Sequence, residues 1–266
     1  MKKKLLALLM TMIMSISLSA CGASSSQTGE STANANDSKG QKVVLGINDW
    51  PGSYWWLTVD KMGYFKEQGV DVEVKLFSNY SDGLNALNSG KIDLFVPALA
   101  DIIPAYVRGA DTKVIMVQDY SAGADGLIAK SDIKSVKDLK GKNVAIELGG
   151  SDHLFLLKCL ENAGLTTKDV NLVNMSTGDA SNAFISGQVD AAAIWEPSLS
   201  MAQKETGGNI LASTKDAEYE GLIPAVLATN GNALKTKREE IKKVMRYAGP
   251  RMVWKHPLTA LWHLMH

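Results

Sequence analysis

The chain has 266 residues, 45% hydrophobic and 21% charged, enough for two lobes with real cores and too ordinary in composition for a disordered, collagenous or multi-span membrane protein. Lys2, Lys3 and Lys4 stand in a leader without acids, and beyond it 25 basic residues face 28 acidic ones, a net charge of −3. A nucleic-acid binder held by phosphate neutralisation does not fit that balance.

Residues 1–20 read as an export signal: Lys2 to Lys4 form the basic start, and Leu5 to Ile16 is an apolar stretch too short to span a bilayer comfortably. Leu18-Ser19-Ala20-Cys21 resembles a bacterial lipobox, in which the cysteine thiol receives a diacylglyceryl group and cleavage follows just before it. An ordinary secretory signal with a chance cysteine is the other reading. The leucine three residues before Cys21 and the small residues between favour the lipobox. A doubly acylated Cys21 would hold the protein stably on the extracytoplasmic face of the bacterial cell membrane. Cys159 lies in an apolar run, Leu154 to Leu160, and a disulfide to it would leave no thiol for the lipid, so it reads as a small buried hydrophobe. After Cys21, the stretch to residue 42 has no large apolar side chain and reads as a flexible tether, with an r.m.s. span on the order of 25 Å.

The folded body starts at Val43. Val43 to Ile47 predicts a strand, Asn48 to Ser53 a turn, and Tyr54 to Gln68 a helix. The same plan returns at Asn143 to Glu147, a loop at Leu148 to Asp152, and a helix from His153 to Ala163. A closer internal match aligns Asn85–Leu94 with Asn182–Ala191 at an offset of 97 and without a gap, each a helix that ends at a C-cap glycine just before a strand. Two αβ junctions can share caps for local reasons alone. The flanking pairs Gly69-Val70 and Gly164-Leu165, each followed by a strand, support a true repeat.

Strands alternating with helices imply an α/β protein with two mostly parallel sheets, flanking helices and a cleft between lobes. We assign lobe 1 to residues 43–118, lobe 2 to 119–212, a return to lobe 1 to 213–248, and an atypical tail to 249–266. Val114–Val117 and Gly126–Ala129 would carry the chain across, and Ile210–Ala212 and Ala225–Ala228 would bring it back. In open α/β sheets ligands bind beyond the carboxyl ends of the strands.

Helix starts gather at that edge: Gly52-Ser53, Ser81-Asp82 and Gly149-Gly150-Ser151, where unpaired N–H groups favour an anion or polar group, although each is also explained by simple N-capping. Trp50, Tyr54, Trp55, Trp56, Tyr120 and Trp195 share the edge, and Trp50 and Trp195, each at a strand end, are the two expected to line the cleft. The acids there are Asp49, Asp101, Asp152 and Glu196; pointing inward, they would make an aromatic and carboxylate cage suited to a cationic ligand. No nucleophile elbow, zinc-binding helix or phosphate-binding loop motif occurs, so neither an enzyme nor a cofactor or metal is expected.

Together the lipobox, the tether, Val44-Leu45-Gly46-Ile47 leading into Trp50-Pro51-Gly52, the phrase from Gly63 to Val72, Ser89-Gly90-Lys91-Ile92-Asp93, and Asp190 to Pro197 with its Trp-Glu-Pro resemble one family. It is the nitrate, sulfonate and taurine group of ABC-importer substrate-binding proteins, which also holds thiamine-pyrimidine-precursor binders. The resemblance covers about residues 43 to 246. It implies a two-lobed periplasmic-binding-protein-like fold, a small-molecule ligand between the lobes, and a membrane permease as partner. The ligand-facing positions it implies are Trp50, Gly52, Ser53, Ala98, Leu99, Tyr120, Ser121, Gly150, Ser151, Trp195 and Glu196. The ligand would be a small organic solute or an oxyanion; Asp152 and the wealth of acid and tryptophan leave open a pyrimidine-precursor-like or cationic aromatic amine. The fungal pyrimidine synthases share the fold but carry a cysteine-rich motif absent here.

Leu234 to Ala248 predicts one helix with Ile241, Val244, Met245 and Ala248 on a single face. Beyond it the residues look unlike the family, and His256, His263 and His266 crowd together without the carboxylate or cysteine a metal site would want. The expectation is a truncated chain with a foreign or frame-shifted end after about Arg246.

Overall fold

The computed structural model describes residues 40–246; the leader, Cys21, the tether before residue 40 and the tail with its histidines lie outside the described residues. Lobe 1 opens with β1 (Val43–Ile47), α1 (Tyr54–Lys61), α2 (Tyr64–Glu67), β2 (Val72–Leu76), α3 (Tyr80–Asn88), β3 (Leu94–Phe95), α4 (Leu99–Val107) and β4 (Thr112–Tyr120). Lobe 2 follows with β5 (Asp125–Ala129), β6 (Asn143–Ile146), α5 (Ser151–Asn162), β7 (Asn171–Asn174), α6 (Thr177–Ile185), β8 (Ala191–Trp195), α7 (Ser198–Thr206) and β9 (Asn209–Ser213). The chain then returns through β10 (Pro224–Asn230), α8 (Gly231–Thr236) and α9 (Arg238–Met245).

These strands form two five-stranded sheets, in the orders β2-β1-β3-β10-β4 and β7-β6-β8-β5-β9. β1 is parallel to β2 and β3, and β6 to β7 and β8, while β10 and β5 are antiparallel to both their neighbours. The fold is therefore the mixed α/β architecture, with two mostly parallel sheets, that the alternating pattern predicts. In each sheet the one reversed strand is the first after the chain has crossed from the other lobe.

The side-chain alternation of the strands covers both faces of each sheet. Val43, Leu45 and Ile47 of β1 pack on Trp56, Val59, Phe65, Ile241 and Val244, while Phe95, Leu87 and Ile92 fill a separate cluster with Val44. In lobe 2, Val144 and Ile146 join Leu127, Phe155 and Leu156, and Ala145 joins Ile128, Phe184 and Leu199. Each fully buried Val, Leu, Ile or Phe among them contributes roughly 1.5–3 kcal/mol of transfer free energy. Cys159 is buried in the same lobe 2 core, 1% exposed, and burial pushes its thiol pKa up to about 12.

Three expectations need correction. The helix predicted over Tyr54–Gln68 is two helices, because Gly63 adopts φ 77°, a left-handed conformation that stops α1 and restarts the chain as α2. The helix predicted from Leu234 is likewise divided at Lys237, which leaves helical geometry (φ −126°, ψ 26°) and sends its Nζ to Lys42 O and Asp93 Oδ2, each at 2.7 Å. The crossings also fall a few residues later than 118 and 213. β4 runs to Tyr120, and Tyr219 and Ile223 still pack in the lobe 2 core. The two crossovers meet where Ser121 N donates to Ile223 O at 2.9 Å.

Candidate functional site

The parallel strands of both sheets end at one cleft. β1 delivers Asn48 and Trp50, β3 leads into Val96 and Ala98, β6 delivers Glu147, Gly149 and Gly150, and β8 ends on Trp195. They enclose a cavity of about 360 Å³ to which both lobes contribute, toward the small end of the roughly 300–1,000 Å³ usual for small-molecule sites.

Aromatic rings form one wall. Trp50 of lobe 1 lies 6.3 Å from Trp195 of lobe 2 at an interplanar angle of 60°, and Tyr80 meets Trp195 edge-on at 6.1 Å. Behind Tyr80 stands the fully buried Phe95, ring to ring at 5.9 Å. The turn after β1 is organised by Asn48, whose Oδ1 accepts from Trp50 N at 3.0 Å and Ser53 Oγ at 3.2 Å. Gly52 is a glycine for want of space: an added Cβ would lie 2.1 Å from Asp119 Oδ2 and 2.7 Å from Trp50 Nε1. The indole nitrogen of Trp50 is buried without a hydrogen-bond partner.

Carboxylates stand beside these rings, Asp125 being the β5 partner of Trp195 on β8. Asp101, in the first turn of α4, accepts hydrogen bonds from Tyr80 Oη, from Ser151 N and, at 3.3 Å, from Ser151 Oγ. A lobe 1 carboxylate thus occupies the N-terminus of α5 in lobe 2. A second contact between lobes runs from Ser81 Oγ to Glu147 Oε1 at 2.8 Å. Asp125 of β5 and Asp152 of α5 are 2% and 5% exposed and interact directly. Thr177 Oγ1 donates to Asp152 Oδ2 at 3.4 Å, but Asp125 Oδ2 and Asp152 Oδ1 have no partner.

Burial dominates the electrostatics. It raises Asp101, against the hydrogen bonds from Tyr80 and Ser151, and it pushes Asp125 up to about 6. Asp152 lies well above the usual carboxylate range through burial and then the negative charges of Asp125 and Asp101. Tyr80 is raised by burial and by Asp101. Among the described residues no three His, Cys, Asp or Glu side chains are arranged to hold a metal ion.

Of the positions the resemblance implied, Trp50, Ala98, Gly150, Ser151 and Trp195 line the cavity. The other six do not. Gly52 and Ser53 support the Trp50 turn from behind, and Ser53 is fully buried. Leu99 and Tyr120 are exposed, Tyr120 at the end of the edge strand β4. Ser121 is buried where the crossovers meet, its hydroxyl 2.6 Å from that of Thr214. Glu196 caps α7, accepting from Ser200 N at 3.1 Å and Ser200 Oγ at 2.6 Å. Of the acids, Asp101 and Asp152 face the cavity and Asp49 does not. Sequence reasoning missed Tyr80, Asp125, Glu147 and Arg108; Tyr80 alone had a signal, standing just before the helix start Ser81-Asp82.

A family model described as NMT1/THI5 like matches residues 55–257, a span that continues past Arg246. The chain is 26% identical over 201 residues to a Brucella abortus protein provisionally named a binding protein, covering 75% of this chain and 62% of that one, so it spans less than two thirds of that relative. The alkanesulfonate-binding protein of Xanthomonas axonopodis pv. citri, solved with MOPS bound, matches with TM-score 0.66 at 26% identity over 78% of this chain and 71% of that chain. The periplasmic aliphatic sulphonate binding protein of Escherichia coli matches with TM-score 0.66 at 27% identity over 85% of this chain and 79% of that chain.

Proposed function

Because the chain belongs to the NMT1/THI5-like family, we propose that it captures a small organic solute outside the cytoplasm and hands it to an ABC import permease. The observation that carries this reading is the cavity walled from both lobes, with Trp50 and Trp195 facing each other 6.3 Å apart. A ligand that touches both walls at once stabilises the closed arrangement and no other, and that difference is what a permease can read. The action is binding and closure rather than chemistry. The names of the two solved sulfonate binders support a solute of alkanesulfonate-like size.

Acylation of Cys21 and the tether after it belong to the same proposal. They would hold the binding body near the membrane and raise its effective concentration at the permease.

Tryptophan fluorescence of the full-length chain, titrated with alkanesulfonates, taurine and small organic amines, tests the reading. A saturable change is expected with at least one solute, and Trp195→Ala is expected to weaken it about tenfold while leaving the melting temperature unchanged. Equal affinity in that variant would remove Trp195 from the site, and no saturable response to any solute would remove the function.

A further inference from the structure

The N-terminus of α5 at this cleft is a natural dock for an anion, since free N–H groups and the helix dipole favour negative charge there. Here the chain fills that dock itself. Asp101 reaches across from lobe 1 to take both the N–H and the hydroxyl of Ser151, and Tyr80 Oη holds it from the other side. Gly150 makes the approach possible: an added Cβ would lie 2.5 Å from Asp101 Oδ1.

Deeper in the same cavity, Asp125 and Asp152 each keep one buried oxygen with no hydrogen-bond partner, and Glu147 adds a fourth carboxyl group. Among the described residues none of these four acids forms a salt bridge with Lys or Arg. The basic residue that lines the cavity, Arg108, is exposed. Ionised carboxylates only accept hydrogen bonds and repel an anion, so a sulfonate or nitrate placed against Asp125 and Asp152 would gain nothing from them. A protonated amine has three donors and a guanidinium five, and the faces of Trp50 and Trp195 attract cations.

Resting on the reading of this cleft as a solute site, we infer that its ligand is a small organic cation, an amine or guanidine whose protonated nitrogen lies against Asp125 and Asp152 while its carbon frame packs on Trp50 and Trp195. Burial favours the protonated form of both acids when the site is empty, and the incoming cation takes the place of the proton. Binding therefore tightens as the pH rises through about 6, where Asp125 gives up its proton. Asp101 adds negative charge beside both acids and Glu147 beside Asp152, Ser121 and Thr177 donate to Asp125 and Asp152 respectively, and Arg108 is the opposing charge that lines the cavity.

The test is calorimetric titration of the full-length chain with benzylammonium, 2-phenylethylammonium and agmatine, against benzyl alcohol as the neutral isostere and ethanesulfonate as the anion. We expect saturable binding of a cation, at least about tenfold weaker binding of benzyl alcohol, and none of ethanesulfonate. Asp125→Asn and Asp152→Asn are each expected to weaken the cation about tenfold or more without lowering the melting temperature of the free protein, which separates lost binding from lost fold. Cation affinity that both variants leave unchanged overturns the assignment. Ethanesulfonate binding that Trp195→Ala weakens, with no cation bound, overturns the cation and keeps the cleft as a solute site. No binding from either set overturns both.

Discussion

Lobe 1 and lobe 2 contain the same junction twice. Helix α3 spans Tyr80–Asn88 and α6 spans Thr177–Ile185, so both ends differ by the same 97 residues that align the sequence repeat. Each helix is closed by a glycine with positive φ, Gly90 at 73° and Gly187 at 75°. Each leads to an aspartate that does two jobs. Asp93 Oδ2 accepts from Val44 N and Lys237 Nζ, both at 2.7 Å, while Asp190 accepts from Asn143 N at 3.0 Å and Lys130 Nζ at 2.8 Å. What leaves the sheet edge is different. Position 98 is alanine and its counterpart 195 is tryptophan, whereas position 95 is phenylalanine and its counterpart 192 is alanine. Caps and strand anchors recur because every αβ junction needs them. The cavity wall does not recur, and a ligand held between the lobes as proposed would meet a different half of its surroundings on each side.

The largest expected effect breaks the symmetry in the core. Phe95 packs against Tyr80 and Phe77, so Phe95→Ala should cost about 3–5 kcal/mol by leaving a cavity in lobe 1, measured by chemical denaturation. Ala192 at the matching place has no such bulk to lose. A cost below about 1 kcal/mol would mean that the lobe 1 core closes around the gap.

Next comes the pair of aspartates. Asp93 and Lys237 have side-chain exposures of 11% and 21%, against 24% and 39% for Asp190 and Lys130. Asp93→Ala strands a half-buried cation and ties the returning segment less firmly to lobe 1, so about 3 kcal/mol is expected. Asp190→Ala should cost about 1 kcal/mol. Equal losses would show that burial is not what separates the two copies.

The acid pair belongs to lobe 2 alone. Burial raises Asp125 to about 6, so its protonated form contributes stability that is present below the ordinary carboxylate range and is lost as pH rises through about 6. Asp125→Asn should therefore match wild type near about pH 4 and exceed it by about 2–3 kcal/mol near about pH 7.5. Parallel denaturation midpoints at both pH values would remove the buried-acid account.

The smallest effect concerns Gly178, the counterpart of Ser81 at the same offset. An added Cβ there meets nothing within 4 Å, so Gly178→Ala should raise stability by about 0.5 kcal/mol through helix propensity. A thermal melt that falls instead would reveal a contact of α6 that its surroundings do not suggest.

Local physics makes much of the fold legible in the sequence. Strand runs at Val43–Ile47 and Asn143–Ile146 needed only β-branched apolar residues between turns, and the repeat was visible because C-cap glycines and strand starts are short-range devices. The split at Gly63 shows the limit: its neighbours alternate as a helix should, and only the left-handed glycine interrupts them. In the site, Trp50 and Trp195 were readable from their places at strand ends. Tyr120 and Leu99 lie outside the cavity, since nothing local tells which way an edge strand or a first helical turn faces. Asp125 and Glu147 carried no signal at all, since an acid near a strand end looks the same whether it meets water or another acid.

The sequence by itself determined the two-lobed α/β plan, the internal repeat, the glycine caps of the repeated junction, and the edge at which the parallel strands end, since each follows from residues a few positions apart. Only the tertiary structure decided which side chains meet there. Asp101 and Ser151 are 50 residues apart, and Ser81 and Glu147 are 66 apart. The packing of the two lobes brings them together and strips their water, and that burial raises Asp101, Asp125 and Asp152 above the ordinary carboxylate range.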